Sequence, residues 1–329
     1  MVSHRSASQE QYSMTTEKLQ GLIPLEDQNQ SGKLRPWKQK KAATELLACA
    51  YDQVDPDKAG RLRDCASQIT FSVPEDGGRK TLRAANFCRV RLCPMCAWRR
   101  TLKITGQMNM ILSAISDNDS GVSYIFTTFT LRNCSADQLA DKLSQMSSGW
   151  NRLMGYKAIK AATLGAYRGT EITYNREADT YHPHYHVLFA VPELYFKKGD
   201  YIDHDGWVRL WRKAMRLDYD PVVDVRKVKG DTAKAVAEVA KYAVKEGDYL
   251  DPNDWDMTVQ TVITLNGALD KRRFVAFSGV FREWHRKLHL DDAEDGDLIR
   301  TDTKDDLEGQ ALVTYAWNTG LRNYYIRAE

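Results

Sequence analysis

No run of apolar residues in this chain approaches the roughly 20 needed to cross a bilayer as a helix. The first residues, MVSHRSASQEQYSMTTEK, lack the apolar core of a secretory signal peptide. Both absences point to a cytoplasmic protein with no membrane partner. In that reducing compartment its six cysteines should be free thiols or metal ligands, not disulfides. No internal repeat is present. Acids are missing from Gly78 to Met110, where Arg79, Lys80, Arg83, Arg89, Arg91, Arg99, Arg100 and Lys103 stand. Histidine is scarce as well, with seven in 329 residues, yet three fall within five positions at His182, His184 and His186.

What is present is ordinary in amount and uneven in placement. Hydrophobic residues make up 43% and charged residues 28% of the chain, as in a globular protein with one large core or two smaller ones. Net charge is only +3, but the basic segment above is matched by nine acids between Asp291 and Glu308. The chain divides accordingly into a polar N-terminal arm and helix (1–60), a basic cysteine-rich segment (61–115), a central region (116–290) and an acidic tail (291–329). Within the central region, SYIFTTFTLRN reads as a strand and SADQLADKLSQMSSGWNRLM as a helix. GAYRGTEITYN and YHPHYHVLFAV read as a hairpin across the turn READT. A helix over 205–217, a strand over 220–229 and a periodic helix over 231–250 follow. This β-α-β-β-α-β-α order predicts an α+β fold, an antiparallel sheet with helices on one face, of ferredoxin-like or RRM-like type.

Side chains alternate along a strand. Tyr185, Val187, Phe189 and Val191 therefore belong to the core, while His182, His184 and His186 form a row on the opposite face. Two imidazoles of such a row can converge on one ion. On the preceding strand Glu171 shares a face with Tyr167, Gly169 and Thr173, and its carboxylate would complete the set. Mixed imidazole and carboxylate ligands suit Mg²⁺ or Mn²⁺ working on phosphate, and Zn²⁺ as well. On the 231–250 helix, Glu238, Tyr242 and Lys245 fall on one stripe. A phenolate there can attack phosphorus, an ammonium can stabilise the charge, and a carboxylate can later activate a water.

IFTTFTL, HPHYHVLFAV and EVAKYAVK together resemble the three motifs of HUH endonucleases. The closest likeness is to the single-tyrosine replication initiators of rolling-circle plasmids from Gram-positive bacteria. His184 and His186 match the histidine pair, Tyr242 and Lys245 match Tyr-x-x-Lys, and Glu238 matches the glutamate one turn earlier. The resemblance covers about 61–290. It implies nicking of one strand at a double-strand origin, a 5′-phosphotyrosine link, a free 3′-OH primer and termination driven by the glutamate. It also implies origin DNA, a host helicase and a polymerase as partners. Relaxases and transposases of the same superfamily share this chemistry, but relaxases usually carry the tyrosine ahead of the histidines.

Cys88, Cys93 and Cys96, with Cys65 upstream, supply four thiols for a tetrahedral zinc site. Arg89, Arg91, Arg99, Arg100 and Lys103 around them are expected to contact DNA phosphates. Arg209, Arg212, Lys213, Lys227, Lys229, Arg272 and Arg273 extend the candidate track. A non-catalytic zinc-containing DNA-binding regulator is the alternative from a different class.

Overall fold

The structure, a computed structural model, describes residues 21–29, 31–74, 79–119, 121–197, 199–230, 232–241, 243–300 and 310–327. Most of the expected N-terminal arm (1–20), Tyr242 and residues 301–309 of the acidic stretch lie outside these. The chain runs β1 (Leu22–Pro24), α1 (Trp37–Tyr51), α2 (Pro56–Asp64), β2 (Gln68–Pro74), β3 (Thr81–Ala85) and α3 (Pro94–Asn118). Next come β4 (Val122–Thr130), α4 (Leu139–Gly155), α5 (Lys157–Ala162), β5 (Gly165–Asn175), β6 (Thr180–Pro192), α6 (His204–Met215) and β7 (Val223–Lys227). It continues through α7 (Ala233–Val239), α8 (Glu246–Tyr249), α9 (Trp255–Ala268), β8 (Val275–Ser278), α10 (Gly279–Lys287), β9 (Gln310–Asn318) and β10 (Asn323–Arg327). Among the described residues no helix is long and apolar enough to cross a membrane.

Two five-stranded antiparallel sheets result, ordered β1-β10-β9-β2-β3 and β7-β4-β6-β5-β8. The α+β class and the antiparallel central sheet stand as expected. Tyr185, Val187, Phe189 and Val191 of β6 are buried with Met146 and Trp150 of α4 and Trp207 and Trp211 of α6. The histidine face is covered as well, so helices lie on both faces and not one. Beyond His186 the alternate residues Leu188 and Ala190 are apolar, and they are buried with Ile104 and Met108 of α3, Val236 and Val239 of α7 and Phe281 of α10. Apolar side chains on that half of the face require cover, and the polar half remains for a site.

The expected helix over 231–250 is shorter. It ends at Val239, and a separate turn of helix begins at Glu246. The alternative hydrogen bonding of the chain explains the break, because Ile172 N on β5 donates to Ala243 O at 2.6 Å. Ala243 and Val244 remain buried, so the apolar pattern continues although the helix does not.

The expected segment boundaries run through packed structure. Met95 and Cys96 of α3 belong to the first sheet's core, whereas Ile104, Met108 and Ile115 of the same helix belong to the second. Nor does the described part of the acidic stretch hang free. Leu298 is buried in the first core and Ala293 in that of the second sheet's histidine face, while β9 pairs with β2 along seven residues. Without β9 one edge of β2 would present unpaired backbone groups.

Candidate functional site

Strand register assembles the site. Glu171 on β5 lies directly opposite His184 on β6, and Thr128 on β4 lies opposite His186. All four side chains therefore share one face of the central strands. His186 Nε2 is 2.8 Å and His184 Nε2 3.4 Å from the same carboxylate oxygen of Glu171, Oε2. Lys245 Nζ lies 3.1 Å from the other oxygen. One ligand atom from each of Glu171, His184 and His186 falls within 4.8 Å of the others, so the trio can hold a metal ion. Burial alone would push the Glu171 carboxyl up. The contacts with His184, His186 and Lys245 outweigh it and hold the group far below the usual carboxylate range. A carboxylate that stays ionised is the form a cation needs.

Second contacts aim the imidazoles. His184 Nδ1 sits 3.1 Å from the main-chain oxygen of His182, and His186 Nδ1 sits 3.2 Å from Thr128 Oγ1. An Nδ1–H donated to the His182 carbonyl leaves Nε2 of His184 as the lone-pair nitrogen facing Glu171. His182 itself stands outside the ligand trio. Its ring stacks on His184 with centroids 5.1 Å apart, and its contribution to the centre is the carbonyl.

The helix α7 closes the site from above. Gly169 of β5 permits this, because a Cβ there would meet Val239 O at 2.3 Å. Glu238 Oε1 lies 4.0 Å from His186 Nε2 and also pairs with Lys241 Nζ. Lys245 reaches the centre past the end of α7, through its pair with Glu171, and so not as part of a continuous helical stripe. Tyr242 lies outside the described residues.

A second cluster gathers the four cysteines. Cys65 follows α2, Cys93 caps α3, Cys96 lies in its first turn, and Cys88 comes from the preceding loop. All four are buried. The Sγ atoms of Cys65 and Cys93, Cys65 and Cys96, and Cys88 and Cys96 are 3.6, 3.6 and 3.7 Å apart. A tetrahedron of thiolates about 2.3 Å from a metal has edges of about 3.8 Å, so the cluster can hold an ion without rearrangement. Backbone N–H groups of Cys88 and Arg89 donate to Cys65 Sγ and Cys96 Sγ, which supports thiolate charge.

The basic residues around this cluster are placed differently from expectation. Arg99, Arg100 and Lys103 are 1%, 1% and 2% exposed and cannot reach a polyanion. Arg99 donates to the carbonyls of Leu298 and Ile299, Arg100 to that of Glu294, and Lys103 to that of Asp297 and to the Asp291 carboxylate. Arg91 pairs with the buried Glu294 at 2.7 Å, and the exposed Arg89 donates to Asp295 O. The cations from Arg89 to Lys103 and the acid-rich segment satisfy each other. Cations do face the histidine centre elsewhere. Arg226, Lys229 and Lys234 line a cavity of about 280 Å³ with Phe126 and Glu238, whereas the Lys227 ammonium turns to the other face, 4.5 Å from the Phe196 ring. Arg226 and Lys234 had no role in the sequence reading, although the density of cations just ahead of Glu238 marks them.

Residues 79–325 match the family model described as replication protein. A Bacillus amyloliquefaciens protein named "Protein rep" is 39% identical over 92% of this chain and 97% of its own length. A Bacillus sp. protein of the same name is 42% identical over 82% of this chain and 94% of its own, and one from Streptococcus pneumoniae is 34% identical over 92% and 95%. No solved structure matches the chain.

Proposed function

The chain belongs to the replication-protein family, and we propose that it initiates rolling-circle replication of a plasmid by nicking one strand at a double-strand origin. The observation that carries this reading is the convergence of Glu171, His184 and His186 beneath a short helix that brings Glu238 to the same centre. Mg²⁺ or Mn²⁺ held by that trio would polarise the scissile phosphate as a Lewis acid. The nucleophile is Tyr242. Its phenol oxygen bonds to phosphorus as the P–O3′ bond breaks, the phenolic proton is lost, and the 3′ oxygen takes up a proton. The products are a 5′-phosphotyrosine link and a 3′-OH from which a host polymerase extends, with a helicase opening the duplex. Lys245 steadies the Glu171 carboxylate and the negative charge beside it, and Glu238 activates the water that ends the cycle. Arg226, Lys229 and Lys234 guide the strand toward the centre. The four cysteines hold a structural Zn²⁺.

Supercoiled plasmid carrying the cognate origin, incubated with the protein and Mn²⁺, should give a nicked circle and a covalent protein–DNA adduct. Tyr242→Phe should abolish both, and normal nicking by that variant overturns the mechanism. In the same assay Glu238→Ala should still nick but fail to terminate. A DNA-binding regulator would retard the plasmid without nicking it.

A further inference from the structure

The central sheet has a second lined cavity, on the face opposite the histidines. Along β5, Gly169 and Glu171 face α7, so Arg168 and Thr170 face the other way, toward α4. There they line a cavity of about 340 Å³ with Tyr185 and the consecutive cations Lys271, Arg272 and Arg273. Among the described residues no carboxylate lines it. The volume falls in the lower part of the range of small-ligand sites.

Arg168 distinguishes this cavity from a merely basic surface. It is 6% exposed, and its Nε is buried without a hydrogen-bond partner among the described residues. No acid pairs with it there either. The guanidinium lies over the Tyr185 ring at 4.4 Å and near Trp150 at 5.6 Å, contacts that fix its plane but do not neutralise its charge. A buried guanidinium with no anion is costly, and proteins retain one where an anion completes it. Its neighbours have other partners. Arg272 donates to the carbonyls of Ala268 and Ala140, and Arg273 pairs with Asp292 at 2.6 Å. Lys271 is exposed at the rim.

We propose that this cavity binds a phosphate group, with Arg168 as the planar fork beneath it, the Thr170 hydroxyl beside it and Lys271 closing over it. The phosphate belongs either to a free nucleotide or to the backbone of a DNA strand crossing the face opposite the histidines. The inference rests on the charge and burial of Arg168 and does not depend on the nicking mechanism.

The full chain is titrated calorimetrically with inorganic phosphate, with thymidine 5′-monophosphate and with a short oligothymidylate, without added divalent cation and at constant ionic strength. Saturable binding of inorganic phosphate is expected. Tighter binding of the mononucleotide that Arg168→Met weakens assigns the site to free nucleotides, and tighter binding of the oligomer that the same variant weakens assigns it to a strand. Arg168→Met should weaken phosphate binding on the order of 30-fold or more, as for loss of one member of a buried charge pair. Phosphate should also raise the melting temperature of the parent protein but not of this variant. Should Arg168→Met fail to fold, the exposed Lys271→Glu provides the same reading. No phosphate binding by the parent, or binding undiminished in Lys271→Glu and in a folded Arg168→Met, overturns the proposal.

Discussion

Thr128 makes one contact that decides how His186 is presented. Its hydroxyl lies 3.2 Å from His186 Nδ1, so the ring is held with Nε2 toward Glu171. Partners of this kind orient a ligand and tune its basicity, and their loss commonly weakens metal binding by roughly 10–100-fold. Thr128→Val keeps the shape and the β-branch but removes the hydroxyl. We therefore expect Mn²⁺ affinity, measured by calorimetry, to fall within that range while the circular dichroism spectrum is unchanged. Unaltered affinity would remove Thr128 from the centre. The histidines and Glu171 were legible in the sequence because alternation along two hairpin strands is a local pattern. Thr128 stood in a threonine-rich strand that was legible as a motif, but its partner depends on the register of β4 against β6. The same limit explains His182, whose place in the row suggested a ligand. Its ring stacks on His184, and its carbonyl does the orienting.

At the scale of elements, α7 matters for where it stops and how closely it approaches. The periodicity over 231–250 predicted one long helix because Ala243 and Val244 keep the apolar rhythm and are buried. Periodicity reports burial, and here the chain stays buried after leaving the helix to accept a hydrogen bond from Ile172. The approach is set by Gly169, whose missing Cβ lets the carbonyl of Val239 come within reach of β5. Ala at this position must push α7 away from the sheet, and overpacking of this kind costs about 1–3 kcal/mol. Gly169→Ala should lower stability to urea by that amount and impair termination, because Glu238 moves with the helix. Gly267→Ala in α9, where a Cβ meets nothing within 4 Å, is the matched control and should leave both unchanged or slightly improved. Equal behaviour of the two variants would show that the close approach has no bearing on the site.

At the scale of the molecule, α3 is one of the elements that enter the cores of both sheets, and its first turns are fixed twice. The acidic segment after Asp291 meets Arg99, Arg100 and Lys103, and the cysteine cluster ties Cys93 and Cys96 to the end of α2 and to the loop at Cys88. Both the basic run and the acidic run were visible in the sequence. Their mutual pairing was not, because an acid-free run is equally the mark of a DNA-binding surface, and only the fold brings residues 200 positions apart together. The cysteine spacing was more informative, since few arrangements of a CxxC pair with two further thiols compete with a tetrahedral site. Four thiolates this close repel one another strongly unless a dication lies between them, and metal binding there is then part of the free energy of folding. Cys93→Ser combined with Cys96→Ser removes two of the four thiols, both at the start of α3. The parent protein should contain one equivalent of zinc by elemental analysis, and the double variant none. Its melting temperature should fall, because α2, the Cys88 loop and the start of α3 lose their common tie. A parent protein free of zinc, or a variant that loses the metal and melts as the parent does, would reduce the cluster to four packed thiols.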